Sequence, residues 1–206
     1  MADENVLNSK QRILQVAEQI FAEKGFDGAR VGEIAKKADV NKALIYYYFD
    51  SKEDILESMF LSLINDAKSI LKEFPFEDEN LKEEDLIEVS RKMLKFISKK
   101  KDILRVAMSE TMKTGSSQTI IIEIAEMLIS GEIKNLRASY QKKGVEFPGD
   151  VEEVLVAEFF TGVLPMLNFV LFKDKFGSYF DIDQKKLEED FIKVFKKTHY
   201  SYHELR

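Results

Sequence analysis

The stretch from Val31 to Lys52, VGEIAKKADVNKALIYYYFDSK, constrains the fold more than any other part of the chain. Its first half has apolar residues at the i, i+3, i+4, i+7 spacing of an amphipathic helix, namely Val31, Ile34, Ala35 and Ala38. Asn41 is a favoured N-cap for a second helix, in which Leu44, Ile45, Tyr48 and Phe49 can turn inward. Two short helices joined by a tight turn form a helix-turn-helix, whose second helix fits the DNA major groove.

The outward face of the second helix favours DNA binding over the alternative, a helical hairpin inside an ordinary bundle. This face carries Lys42, Ala43, Tyr46 and Tyr47. Exposed tyrosines leave apolar area in water unless a partner covers them. Phosphate oxygens and thymine methyl groups suit a phenol ring and its hydroxyl.

The same residues carry a family resemblance. The run EIAKKADVNKALIYYYFDSKEDIL, preceded by ILQVAEQIFAEKGFDGARV, resembles the N-terminal DNA-binding domain of TetR-family transcriptional regulators over about residues 9–56. The resemblance rests on three motifs: Phe-x-x-x-Gly-Phe, Glu-Ile-Ala and Tyr-x-Tyr-Phe-x-Ser-Lys-Glu. Three residues depart from the usual pattern: Asp39 and Ala43 stand where glycine is common, and Arg30 where threonine is common. Aspartate tolerates a left-handed backbone better than most residues do.

Composition agrees with a helical globular protein. The chain has 206 residues, 45% hydrophobic and 33% charged, with only three prolines and nine glycines. The predicted fold is all-α with about nine helices. The resemblance implies a three-helix DNA-binding domain over residues 8–68 and a helical ligand-binding and dimerisation domain over 69–206.

Charge is distributed unevenly. Residues 1–52 hold eight basic and eight acidic side chains, while the rest of the chain holds 23 and 29 and thus carries the whole net charge of −6. Within residues 28–49 four basic side chains face two acidic ones. This small positive excess predicts that tight DNA binding needs two copies of the hairpin.

Capping patterns set the expected helix boundaries. The first helix should begin near Asn8 and stop at Gly25, and a long lever helix should run from Ser51 to about Lys72. An apolar helix should run from Asp150 to about Lys175 and break at Gly177-Ser178. A last helix should run from about Asp183 to His199.

The resemblance implies specific functional residues. The expected DNA contacts are Arg30, Asn41, Lys42, Ala43, Tyr46, Tyr47, Tyr48 and Lys52, with core packing as the alternative for Tyr48. A ligand pocket is expected among Phe60, Ile64, Met93, Phe96, Met108, Met112, Met127, Phe159 and Asn168, although most such residues must be core. Asn168 follows a kink expected at Pro165, so it either repairs a loose carbonyl or contacts ligand. The expected dimer interface comprises Val154, Phe159, Leu167, Leu171, Phe191 and Phe195.

Other site classes find little support. His199 and His203 have the i, i+4 spacing of a metal pair, but no third ligand is evident beyond Glu204, so no metal and no cofactor is predicted. No arrangement of residues predicts an enzyme. The longest apolar run, Val163 to Phe172, is too short for a membrane helix of about 20 residues, and a cytoplasmic protein is expected.

The sequence therefore predicts a homodimeric transcriptional regulator that binds double-stranded operator DNA. It is expected to be a repressor released by a small-molecule effector. The alternatives are a ligand-dependent activator and a helical ligand-binding or scaffold protein whose hairpin does not bind DNA.

Overall fold

The computed structural model describes residues 2–71, 83–113, 119–142, 144 and 150–201. Every regular element in these ranges is helical, which confirms the all-α prediction. The helices are α1 (Ala2–Gly28), α2 (Val31–Lys37), α3 (Lys42–Tyr48), α4 (Lys52–Leu71), α5 (Glu83–Lys99), α6 (Lys101–Met112), α7 (Ile120–Lys142), α8 (Val151–Ala157), α9 (Leu164–Phe180) and α10 (Gln184–Phe195). Two π-helical segments follow α8 and α10, π1 (Glu158–Val163) and π2 (Lys196–Tyr200).

The chain folds into two compact units, whose boundary is not a single point in the sequence. The first unit comprises Met1–Ala67 together with Asp102–Ile121, and the second comprises Lys68–Lys101 together with Ile122–Arg206. Helix α6 thus belongs almost entirely with the N-terminal helices. Helix α4 begins in the first unit and ends in the second.

The first unit has a core of aliphatic and aromatic side chains, most of them from its N-terminal helices. Gly25 adopts a left-handed φ of 72°, which interrupts α1 where the sequence predicts its end. The helix begins at Ala2, earlier than the Asn8 predicted from the capping pattern. The large side chains that are fully buried in this core are Ile13, Ile20, Phe21, Ile34, Ile45, Phe49, Ile55, Phe60 and Ile121.

In the second unit, α8, π1 and α9 form one continuous helix, Val151–Phe180. Pro165 lies two residues after the end of π1, and a proline ring excludes an α-helical hydrogen bond to the carbonyl four residues earlier. The predicted break at Gly177-Ser178 is wrong. The helix ends instead at Phe180, followed by the C-cap Asp181 with a φ of 54°. The Gln184 amide occupies the space that a Cβ on Gly177 would fill.

The sequence contains no apolar run that is long enough for a membrane helix, but the helix Val151–Phe180 is long enough. By length and composition alone it could cross a membrane, because its most apolar 18-residue window has a mean hydropathy of 1.9. A third of that window is buried in the protein, and core helices of water-soluble proteins pass the same test. One side packs on α7, where Val154 joins Ala125, Ile129 and Ile133. The other side leaves apolar residues exposed.

Candidate nucleic-acid interface

The turn between α2 and α3 is built by local hydrogen bonds. Asp39 adopts a left-handed φ of 52°, the conformation for which glycine is common at this position. The Val40 amide donates to the Ala35 carbonyl at 3.0 Å, which closes the end of α2. The Asn41 side chain then accepts from the Leu44 amide at 2.7 Å, so Asn41 caps α3 as predicted. Such a turn fixes the direction in which α3 leaves.

Helix α3 buries one face and exposes the other. Ile45 and Phe49 are 1% and 2% exposed, and they anchor the helix in the core of the first unit. Tyr46 and Tyr47 are 54% and 74% exposed on the opposite side. Tyr48 is half-buried, and its ring lies edge-on to that of Tyr47 with centroids 5.1 Å apart. Asn41, Lys42 and Ala43 are exposed as well. The second helix therefore presents two aromatic rings and a cation to solvent.

Ion pairs and a carbonyl contact hold α2 against α1. The Arg12 side chain donates to the Ala38 carbonyl at 2.9 Å, at the C-terminal end of α2, where a cation is favourable. Lys24 pairs with Glu33 at 2.5 Å, and Lys37 lies 3.5 Å from Glu23. The sequence analysis missed Arg12, because its partner is a backbone carbonyl 26 residues away and leaves no pattern in the sequence.

Lys52 has internal partners. Its ammonium donates to the carbonyls of Phe26 at 2.8 Å and Ala29 at 3.3 Å, and it lies 4.3 Å from the centre of the Phe26 ring. These contacts join the start of α4 to the connection between α1 and α2. These contacts give the Lys52 ammonium partners within the protein, and its predicted contact with DNA stays a prediction.

A third group of contacts attaches α6 to the same connection. Lys113 pairs with Asp27 and with the buried carboxylate of Glu110, both at 2.8 Å. The hydrogen bond from Lys113 lowers the pKa of Asp27, and the hydrogen bond to Asp27 raises the pKa of Lys113. Arg105 donates to the Ala22 carbonyl at 3.2 Å. Helix α6 therefore contacts the chain near the residues that precede α2.

The free cations of the N-terminal head, which comprises α1 to α3 and the start of α4, are few. Among the residues that the structure describes, the exposed side chains of Arg30, Lys36 and Lys42 make no ion pair. Lys42 lies across α2, where the absent Cβ of Gly32 would lie 2.7 Å from its Cε and 3.1 Å from its Nζ. The glycine provides the space that the lysine stem occupies.

This geometry coincides with a known sequence family. The profile described as "Bacterial regulatory proteins, tetR family" matches residues 13–59, which span α2, the turn, α3 and the flanking parts of α1 and α4. The N-terminal domain belongs to the TetR family. That assignment confirms the resemblance seen in the sequence, and members of the family are transcriptional regulators rather than enzymes.

Two curated relatives are similar to this chain over a short segment. The negative transcriptional regulator IcaR of the biofilm operon icaADBC from Staphylococcus aureus is 46% identical over 48 residues, which cover 23% of this chain and 26% of IcaR. The probable regulator YttP from Bacillus subtilis is 45% identical over 53 residues, 26% of each chain. The matched segment thus spans about a quarter of these relatives.

A solved structure shows likeness over nearly the whole chain. The transcriptional regulator FadR from Bacillus subtilis, solved in complex with stearoyl-CoA, has a TM-score of 0.66 at 22% identity. The alignment covers 90% of this chain and 96% of FadR. The likeness in fold therefore extends beyond the N-terminal domain.

Outside the TetR domain, the predicted pocket residues are divided between the two units. Phe60, Ile64, Met108 and Met112 belong to the first unit, where Phe60 is 1% exposed and Met112 is 76% exposed. Met93, Phe96, Met127, Phe159 and Asn168 belong to the second, where Asn168 is exposed. The contribution of this set to a pocket stays a prediction.

The predicted dimer residues lie mostly inside the protomer. Val154, Leu167 and Phe195 are between 0% and 5% exposed, because they pack in the second unit's own core. Phe159, Leu171 and Phe191 are half-buried. Surface available to a partner lies on the other side of the same helices, and we call it the α9–α10 face: Phe160, Phe172, Phe176, Tyr179, Phe180 and Val194 are 47–83% exposed.

An apolar groove runs through the α9–α10 face. Its volume is about 350 Å³, and the stacked rings of Phe169 and Phe191 form part of its wall, with centroids 4.0 Å apart. Phe172, Phe176 and Val194 line it as well. None of the predicted pocket residues lines this groove.

The predicted histidine pair falls partly outside the structure described. His203 and Glu204 lie beyond the described residues, whereas His199 is 7% exposed and faces Glu158. In the described ranges no group of three or more potential metal ligands occurs.

Proposed function

We propose that the protein is a homodimeric DNA-binding transcriptional regulator, with a regulatory rather than a catalytic role. The exposed face of α3 carries this proposal. Its two tyrosines, Lys42 and the capping Asn41 stand on a helix whose other face is locked into the core. Lys42 supplies a phosphate contact, Asn41 both caps and binds phosphate, and the tyrosine rings contact sugar and thymine methyl groups.

We assign DNA binding to one predicted domain, and effector binding and dimerisation to the other. Residues 8–68 bind DNA, while residues 69–206 bind an effector and form the dimer. Arg30, Ala43 and Tyr48 flank the α3 face and complete the DNA surface. Lys52 takes no part in the phosphate contacts we propose, because two carbonyls and a ring already surround its ammonium.

Dimerisation uses the α9–α10 face. The exposed phenylalanines of α9 and the exposed Val194 of the adjacent α10 form a contiguous apolar surface, and such surfaces mark interaction sites. Packing against a second copy about a two-fold axis gives a four-helix bundle that covers this surface. Burial in this dimer would also explain why the helix Val151–Phe180 has an exposed apolar side, as we propose for a cytoplasmic protein.

Regulation follows from linkage. We propose that the protein is a repressor, as the name of IcaR states for that relative, and that an effector releases it from its operator. An effector acts only if it binds the two conformations unequally. Helix α4 transmits the difference, because its first part lies with the recognition helix and its end lies in the second unit.

Selection of bound duplexes from random DNA, followed by titration at several salt concentrations, tests the central claim. We expect a two-fold symmetric site with half-sites about 34–36 Å apart or a multiple, and an affinity that falls steeply with salt. Binding without sequence preference and without salt dependence would contradict it. The protein would then match the scaffold alternative.

Stearoyl-CoA, the ligand in the FadR complex, is the first probe for an effector. Titration of operator complexes should show a 5- to 150-fold loss of DNA affinity, equivalent to about 1–3 kcal/mol of coupling. Reciprocity requires operator DNA to weaken acyl-CoA binding by the same factor. Binding of the probe with no change in operator affinity would contradict release by this class. A gain in affinity would instead indicate a ligand-dependent mode of binding.

A further inference from the structure

Asn168 is an exposed polar residue in the middle of the apolar surface of α9. Phe160 precedes it by eight residues and Phe176 follows it by eight, and these two rings are 62% and 47% exposed. Residues that recur at steps of three or four lie along one stripe of an α-helix. The stripe of α9 that contains this amide comprises Pro165, Asn168, Phe172, Phe176 and Tyr179.

Neighbouring side chains fix the direction in which Asn168 points. Leu167 and Val170 are 5% and 0% exposed, so this turn of α9 is anchored in the core of the second unit. Phe169 stacks on Phe191 of α10, with ring centroids 4.0 Å apart. Among the residues that the structure describes, the Asn168 amide has no hydrogen-bond partner. Its donor and acceptor groups are thus left to water or to a partner that covers this face.

Exposed apolar side chains are concentrated on α9 rather than on α10. On α10, all of whose residues the structure describes, Val194 is the exposed large apolar side chain. TetR-family regulators typically form dimers, and a two-fold dimer through the α9–α10 face brings the α9 helices of two copies together. In such a dimer a residue close to the two-fold axis contacts the same residue of the other copy.

Covering the stripe of α9 removes the Asn168 amide from water. A buried amide without hydrogen bonds is unfavourable, and an apolar side chain opposite it supplies neither donor nor acceptor. A second asparagine supplies both, because two amides can each donate an N–H to the carbonyl oxygen of the other. The alignment that sets Asn168 against Asn168 therefore satisfies both amides. A shift along the stripe leaves both of them against apolar side chains.

We propose that Asn168 lies at the two-fold axis of the dimer, where the amides of the two copies pair and set the register of one α9 against the other. This contact rests on the proposed function, because it exists only in a dimer formed through the α9–α10 face. In coiled coils a single buried asparagine specifies register and oligomeric state at a cost in stability. A single register is what holds two recognition helices at the fixed spacing of two DNA half-sites.

Mixed dimers of the wild type and Asn168→Asp test the pairing. The Asn168→Asp homodimer sets two carboxylates against each other, so at pH 7.5 its dissociation constant should rise more than about 100-fold. In the mixed dimer the wild-type amide donates to the carboxylate, and we expect this dimer to form at least as tightly as the wild type. Sedimentation of fluorescently labelled subunits measures all three constants.

An additive effect would overturn the proposal. If each Asn168 contacted some other group, the mixed dimer would have a dissociation constant midway, on a logarithmic scale, between those of the two homodimers. Ser178→Asp is the matched control, since it adds the same charge at an exposed position of α9 outside the stripe. It should leave the dissociation constant unchanged.

Cysteine substitution provides a second measurement, which places no charge at position 168. The chain has no cysteine, so Asn168→Cys carries a single thiol. Two such thiols at the axis meet the Cβ–Cβ distance of about 4 Å that a disulfide requires, and mild oxidation should produce covalent dimers. Ser178→Cys, about 15 Å further along α9, should not cross-link.

The dimer interface and the axis can fail separately. If Asn168→Cys gave no covalent dimer while Phe176→Glu dissociated the protein, the position of the axis would be overturned and the α9–α10 face would remain the interface. If Phe176→Glu remained dimeric, the interface itself would be wrong, and the pairing of Asn168 would fail with it.

Discussion

The exposed faces of α3 and of the α9–α10 pair are both aromatic, but they differ in chemistry. Tyrosines accompanied by a lysine cover α3, whereas phenylalanines and Val194 dominate the α9–α10 face. A phenol ring keeps its hydroxyl hydrated until a polar partner replaces the water. A phenylalanine gains only when an apolar surface covers it. Exposure therefore marks two candidate interfaces, and their polar atoms are the basis for proposing a nucleic-acid partner for α3 and a protein partner for the α9–α10 face.

A charge placed in the α9–α10 face should have the largest effect. Phe176 is 47% exposed and lines the apolar groove, so Phe176→Glu would bury a carboxylate in the dimer. We expect the dimer dissociation constant to rise more than about 100-fold, because an unpaired buried charge costs several kcal/mol. Sedimentation analysis measures it. Lys185→Gln makes the same change in net charge at an exposed site of α10 and should leave the dimer intact. An unchanged dimer in Phe176→Glu would remove the proposed interface.

The two side-chain types on α3 should respond differently to salt. Lys42→Ala should weaken binding to all duplexes and reduce the salt slope by about one unit for each phosphate that the lysine neutralises. Tyr46→Ala should lower affinity by roughly tenfold while leaving the slope unchanged, because the tyrosine carries no charge. Titration at four or more salt concentrations separates the two effects. Equal slopes for Lys42→Ala and the wild type would show that this lysine contacts no phosphate.

A substitution of Lys52 tests whether this residue belongs to the proposed DNA-binding surface. Lys52→Met keeps most of the stem but removes the hydrogen bonds to two carbonyls and the contact with the Phe26 ring. We expect a loss of about 1.5–3 kcal/mol in unfolding free energy, the range for hydrogen bonds to charged groups. The salt slope of DNA binding should not change. If Lys52→Met instead reduced the salt slope of DNA binding as Lys42→Ala does and left the stability unaltered, Lys52 would be a phosphate contact.

The smallest effect is expected at Gly32. Gly32→Ala removes a helical glycine, which favours the helix by up to about 1 kcal/mol, but its Cβ would displace the Lys42 stem. We expect equal or higher stability with DNA affinity reduced a few-fold. Gly131→Ala in α7 is the matched control, since nothing lies within 4 Å of its added Cβ. In a Lys42→Ala background the Gly32→Ala effect should vanish. An effect that persists there would indicate direct contact between α2 and DNA.

Periodicity and capping predicted much of the head. The inward and outward sides of α3 followed from spacing alone, and Asn41 caps the helix as its residue type indicates. Asp39 takes the left-handed conformation that its replacement of a glycine suggested. These features depend on residues close together in the chain, where sequence patterns are informative.

The sequence predicted less where a contact depends on residues far apart. The capture of Lys52 by two carbonyls and the Arg12 contact with α2 each join residues more than 20 positions apart. The helix containing Val151 and Phe180 was expected to break at Gly177, because glycine is a common helix end. Close approach of Gln184 gives that glycine a packing role instead. Helical spacing likewise did not show which side of this helix faces the protomer's own core.

Segment π1 also makes the structure sensitive to the number of residues in this helix. A π-helical turn is equivalent to one residue inserted into an α-helix, and each residue of an α-helix turns by about 100°. Deleting one residue within Glu158–Val163 would restore regular geometry and rotate α9 relative to α8 by roughly that angle. Phe172 and Phe176 would then leave the groove side, although their sequence would be unchanged. Single-residue deletions here should therefore be far more damaging than most substitutions, since they change the register of a whole interface at once.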